Sequence, residues 1–184
     1  MTYDMEGLLN EDVVQSPILL DIMKRNIATN APQLKVRVQP AVHELEWGPA
    51  YESQLEGVLR AGASMSEEGG KGGYDVLLGS DLTYHSSTAG SLFWTVSTLL
   101  NKMTATRRKQ ERENNCRDGD GEDDEEEGGD EDRKIKFITA HEHRLDISTK
   151  ETLNVAVNKF QLQHKEIFVS NDNKHSIWMF TLKD

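Results

Sequence analysis

Apolar residues recur along this chain in two rhythms, one helical and one alternating, and the switches between them lay out its elements. In SPILLDIMKRNIATNAP, Ile18, Leu19, Ile22, Met23 and Ile27 fall at helical spacing. Ser16 is placed to cap that helix, Pro17 suits its first turn, and Asn30 and Pro32 stop it. Leu34, Val36 and Val38 then alternate with Lys35 and Arg37, the pattern of a short strand wet on one face. Tyr51 to Arg60 predicts a short helix, and Ala61 to Gly73 a loosely structured surface loop. The GGKGG run at 69–73 precedes a strand instead of following one and opening a helix, so it does not suit a phosphate cradle.

Farther along, Val76, Leu77 and Leu78 are consecutive within Tyr74 to Ser80, which predicts a strand buried on both faces, as in parallel sheets. Leu92, Phe93, Val96, Leu99, Leu100 and Met103 share one helical face. IKFIT resumes as a strand, and Ser148-Thr149-Lys150-Glu151 forms a capping-box pattern ahead of Leu153, Val157 and Phe160. At the end, KEIFVS and HSIWMFTL flank the turn-rich spacer Asn171 to Lys174, which predicts an antiparallel hairpin. This order predicts an α/β fold: a Rossmann-like, mostly parallel sheet with helices on both faces and a terminal antiparallel hairpin. Such sheets seat ligands beyond the carboxyl ends of their strands. Gly79, Ser80 and Asp81 fall at that edge, with Tyr84 at its rim, and a small Gly-Ser pair lets another molecule approach the backbone.

Composition fits one such domain, because 184 residues with 36% apolar content and three Trp suffice for a core. Charge is where composition changes the picture. Residues 111–132 hold 13 acidic and 2 basic side chains, which accounts for the whole net charge of −11, and the remainder balances at 19 of each sign. No general basic surface argues for nucleic acid, and no acidic or basic field argues for a membrane surface. A long like-charge block reads first as a solvated, disordered insertion between a helix and a strand, and second as an element that recruits a basic protein substrate. The chain therefore divides into a first part of one domain at 1–103, an acidic insertion at 104–133 and the domain's C-terminal part at 134–184. No run of about 18 apolar residues and no basic-then-apolar leader is readable, so the default compartment is cytosol or nucleus. Cys116 has no second cysteine for an internal disulfide, and His141-Glu142-His143 offers two imidazoles one residue apart without a third ligand, a pattern of solvated loop groups rather than a metal site.

Three segments together resemble the seven-stranded S-adenosylmethionine-dependent methyltransferases, in particular the protein-lysine methyltransferase-like group with an Asp-x-x-Tyr motif. LLDIMKRNIATN resembles the helix after that group's second strand, Leu45 to Gly48 (LEWG) its Leu-x-Trp-Gly loop, and Leu77 to Tyr84 (LLGSDLTY) its fourth strand and motif. The similarity covers most of the chain outside residues 61–72 and 104–133, and the terminal hairpin is similar to that fold's antiparallel seventh strand. The resemblance implies that Asp4 meets the cofactor's ribose hydroxyls, Trp47 packs on the adenine, Ser80 lines the cofactor pocket through its backbone, and Asp81 and Tyr84 face the acceptor amine. It further implies an S-adenosylmethionine cofactor and a protein substrate presenting a lysine side chain.

The implied chemistry suits these residue types, since positioning dominates an in-line methyl transfer and a lysine amine, with an ordinary pKa of about 10.4, must first lose its proton. An acid that orients the ammonium and an aromatic wall that desolvates it serve that end together. The family's glycine-rich turn lies about twenty residues before its ribose-binding acid. Only three residues precede Asp4, so the first strand and that turn are expected to be missing, as in an N-terminally truncated relative. Two alternatives stand beside the lysine reading: a small-molecule amine methyltransferase of the same fold, and a non-catalytic truncated relative serving as an interaction module. Each residue also has a plainer role available, Trp47-Gly48 as a packed aromatic and turn glycine, Asp81 as a cap, and Tyr84 as packing.

Overall fold

A computed structural model describes residues 17–33, 40–64, 73–82, 86–115, 134–142 and 146–183. The chain separates into two compact units, Met1–Glu44 and Leu45–Asp184. The expected strand at Leu34 to Val38, the cap Ser16, the ribose acid Asp4, the motif residue Tyr84 and most of the acidic tract lie outside the described residues.

In the first unit the helical stripe folds as expected into α1, Pro17–Asn30. Proline costs nothing at the first helical position, where its missing N–H has no intrahelical partner. At the other end, the Asn30 side chain donates to the Asn26 carbonyl at 2.8 Å, and the Ala31 N–H donates to Ile27 at 2.7 Å. Ile22 and Met23 of the stripe remain exposed.

The second unit begins with the loop Leu45–Gly48, a 3-10 turn at Pro49–Tyr51 and helix α2, Glu52–Ser64. Strand β1, Val76–Ser80, leads into the long helix α3, Ser86–Asn115. Strand β2, Lys136–Glu142, is followed by α4, Asp146–Asn154, and a π-helical turn at Val155–Lys159. Strands β3, Leu162–Val169, and β4, His175–Leu182, form the terminal hairpin. The four strands make one sheet in the order β1-β2-β4-β3.

Only β1 and β2 run parallel, with Leu77 opposite Phe137 and Ser80 opposite Ala140. Both other pairings are antiparallel, so the fold is α/β as expected, but the described sheet is mixed rather than mostly parallel. The hairpin forms where the spacer predicts it. Within its turn, Ser170 Oγ donates to Asp172 Oδ1 at 2.6 Å, and the Lys174 N–H reaches the same oxygen at 3.1 Å. Both bonds favour the ionised form and hold the Asp172 carboxyl below its ordinary range.

The core lies on one face of the sheet, where Ala89, Leu92, Phe93, Val96, Leu99, Leu100 and Met103 of α3 are buried. The Phe93 and Phe180 rings meet at 5.2 Å between centroids, and Phe137 stacks on Phe180 at 5.9 Å. In β2 the alternation is clean, with Phe137, Thr139 and His141 buried and the residues between them less so, the pattern of a strand with one covered face. Strand β1 departs from its expectation of burial on both faces: Leu77 packs on the core, while Val76 and Leu78 are exposed. Lys102 ties α3 to α2 through Glu52, at 3.2 Å, and Glu56.

Three further expectations change. Helix α2 runs to Ser64, past the predicted end at Arg60, because Tyr74 fills the space beside Gly62 and donates to the Val58 carbonyl at 3.2 Å. Helix α3 continues to Asn115, into the segment assigned to the acidic insertion, since Arg, Lys, Gln and Glu favour helix even after the apolar stripe ends. Helix α4 starts at Asp146, so Ser148 and Thr149 lie inside it and are not its cap.

Candidate functional site

The strand-end motif and the Leu-x-Trp-Gly loop both adjoin the beginning of α3, but they are held in different ways. Gly48 has φ 116°, a left-handed value that favours glycine, and its N–H donates to Thr95 Oγ1 at 2.9 Å. A Cβ at position 48 would also sit 3.3 Å from Ser91 Oγ. Nearby, the Glu46 N–H donates to Gln54 Oε1 at 2.7 Å, and Leu45 and Trp47 pack against the core cluster. Tyr51 bonds to Glu46, and that carboxylate pushes the phenol above its ordinary pKa. The loop is thus fastened by both its neighbours and its backbone, and Trp47 does the structural work of the plainer alternative while remaining only half-buried.

Ser80 ends β1 with its side chain exposed, and Asp81 continues the ladder by donating its N–H to the Ala140 carbonyl at 3.0 Å. Asp81 has φ 56°, the left-handed region that Asp tolerates better than most residues. The chain therefore turns sharply out of the strand at this acid, at the carboxyl end of the parallel pair. His141 follows Ala140 on β2; it is buried and stacks on the Trp178 indole at 4.9 Å and 24°. Of His141-Glu142-His143, the first two belong to β2 and are consequently not loop groups, and His143 lies outside the described residues.

Gly79 does not leave its backbone open on the covered side, contrary to expectation. A Cβ there would meet Leu82 Cδ1 at 2.5 Å and the Phe137 ring at 3.1 Å, so this chain's own side chains use the space. Two concavities occur elsewhere, about 620 Å³ beside β3 and about 390 Å³ between α2 and α3, and neither is lined by Trp47, Ser80 or Asp81. Among the described residues, no three His, Cys, Asp or Glu side chains gather to hold a metal ion. No helix among them is long and apolar enough to cross a membrane.

Of the five residues singled out in the sequence, the structure describes Trp47, Ser80 and Asp81. Trp47 is half-buried against the core cluster, Ser80 is exposed and Asp81 takes a left-handed φ, and neither of the two concavities joins them. Sequence reasoning missed the anchor Thr95, which accepts the Gly48 N–H from 47 residues away. It also missed the stacked His141–Trp178 pair. Compared with models of known protein families and with curated proteins, the chain matches none.

Proposed function

We propose that the chain is of S-adenosylmethionine-dependent methyltransferase lineage, directed at a protein lysine, with Asp81 as the carboxylate that orients the acceptor amine. The observation that carries this proposal is the placement of Asp81: a left-handed acid at the carboxyl end of a parallel strand pair, leading into the helix that anchors the 45–48 loop. Parallel sheets present ligands at that edge. In this assignment β1 is the fourth strand of a seven-stranded sheet, and β4, antiparallel to both neighbours, is the seventh.

Trp47 and Ser80 would hold the cofactor, which supplies an electrophilic methyl group when bound. Asp81 would accept hydrogen bonds from the incoming ammonium and aim its nitrogen, and Tyr84 would wall the channel and shed water from it. The acceptor amine would have to release one proton to solvent before its lone pair could take the methyl group that bound S-adenosylmethionine would supply, and Asp81 would orient that nitrogen for the transfer. Lowering the ammonium pKa by desolvation and fixing the line of attack are the two contributions asked of these side chains.

The test begins with calorimetric titration of the chain with S-adenosylmethionine, then transfer of labelled methyl groups to lysine-bearing proteins and to small amines. Saturable binding and label in protein lysines are expected. Asp81→Asn preserves the left-handed turn, since Asn also tolerates it, and should reduce transfer by about a hundredfold while leaving cofactor binding in place. Label confined to small amines would move the substrate class. Absence of both heat and transfer would leave the non-catalytic interaction module as the function.

A further inference from the structure

Backbone N–H groups of a loop need acceptors as much as those of a helix, and in the loop Leu45–Gly48 two of them find side chains. The Glu46 N–H donates to Gln54 Oε1 at 2.7 Å, and the Gly48 N–H donates to Thr95 Oγ1 at 2.9 Å. Gln54 belongs to α2 and Thr95 to α3, so the two bonds come from different helices and bracket a single residue, Trp47. Gly48 and Thr95 are both buried, where a donor left without its acceptor is costly. With one such bond the backbone at Trp47 could pivot about it. Two bonds, on either side, remove that freedom.

We propose that Thr95 and Gln54 are positioning residues: they hold the backbone before and after Trp47 and so fix the indole at the angle that stacks on the adenine ring. The role rests on S-adenosylmethionine being the ligand; the two hydrogen bonds do not. Trp47 packs against the core cluster and yet is only half-buried, while Gly48 beside it is buried, so the loop is fastened around an aromatic ring that keeps part of its surface open. Stacking between flat rings depends on their offset and tilt, which a pivoting backbone would blur. Thr95 adds a second function to its bond. It stands on α3, the helix that follows the Asp81 turn, and thereby ties the ring assigned to the methyl donor to the element that leads away from the acid assigned to the acceptor.

The experiment is calorimetric titration of the full chain with S-adenosylmethionine, combined with amide hydrogen exchange at Glu46 and Gly48 read by NMR. Thr95→Val keeps the volume of the side chain and removes its acceptor, and it should speed exchange at Gly48 and weaken cofactor binding by about tenfold, the scale of one buried hydrogen bond. Thr95→Ser returns the oxygen and should restore both readings. Gln54→Leu should speed exchange at Glu46 and weaken binding by a smaller factor, because its bond is only partly buried. In a Trp47→Phe background, Thr95→Val should lose clearly less than tenfold, since residues that act through one ring are not additive. A bond that merely stabilised the fold would give the same loss in both backgrounds. Where Thr95→Val fails to fold, Gln54→Leu carries the same cycle. No binding by the unaltered chain would remove the cofactor reading and this role with it. Binding that is unchanged in both variants, or an equal loss in the Trp47→Phe background, would overturn the role and leave the cofactor reading standing.

Discussion

On one face of the four-stranded sheet Phe137, Trp178 and Phe180 are buried under α3, while on the other Leu78 is 78% exposed and Val76 41%. Both faces are built from the same strands, and on the exposed face Ile138 and Met179 are neighbours across the ladder just as Phe137 and Phe180 are on the covered one. What separates them is the helix that supplies partners. Leu92, Phe93, Val96 and Leu100 of α3 bring a continuous apolar stripe to the covered face, and the aromatic rings of the sheet interlock with it. Among the described residues the other face keeps apolar character without that cover, so its side chains contribute transfer free energy only to the extent that neighbouring strands shield them.

The largest expected effect therefore belongs to the covered face. Phe180 is fully buried and touches the rings of Phe93, Phe137 and Trp178, at 5.2, 5.9 and 6.4 Å between centroids. Phe180→Ala removes a ring that all three surround, and denaturant unfolding should show a loss of about 3–5 kcal/mol. A result below about 1 kcal/mol would mean that the two faces are equally loose.

An intermediate effect is expected at Gly79, where the two faces communicate through one strand. Leu82 Cδ1, at 2.5 Å from an added Cβ, is the end of a flexible side chain and can swing aside, but the Phe137 ring at 3.1 Å is set in the core. Gly79→Ala should cost about 1–2 kcal/mol by overpacking, partly offset by the lower chain entropy of the unfolded alanine variant. An unchanged or raised stability in the same unfolding experiment would show that Phe137 yields freely.

Little of this contrast is legible in the sequence of β2, where the buried Phe137, Thr139 and His141 are no more apolar as a set than Lys136, Ile138 and Ala140, and only the packing shows which face is covered. In β1 the three consecutive apolar residues declare no face, and only the register with Phe137 shows that Leu77 points to the core. The hairpin was readable because Asn and Asp bend the chain locally, as Asp172 and Asn173, with φ 55°, do here. The end of α3 was not, because pattern reading stops with the apolar stripe at Met103 whereas helix propensity does not. Within the candidate site, the position of Asp81 followed from strand length, but its left-handed turn and the reason for Gly79 depend on Ala140, Leu82 and Phe137.

The smallest effect should come from Leu78, and it tests the exposed face most directly. A leucine 78% exposed has little surface left to lose to water, so Leu78→Ser should change unfolding free energy by no more than about 0.5 kcal/mol. Serine is a poorer strand former than leucine, which sets the sign of any residual change as destabilising. The aggregation threshold should move the other way, because the substitution removes a large apolar group beside Val76 and Ile138. A loss above about 2 kcal/mol would require Leu78 to be packed in solution as tightly as a core leucine, and the contrast between the two faces would then fail.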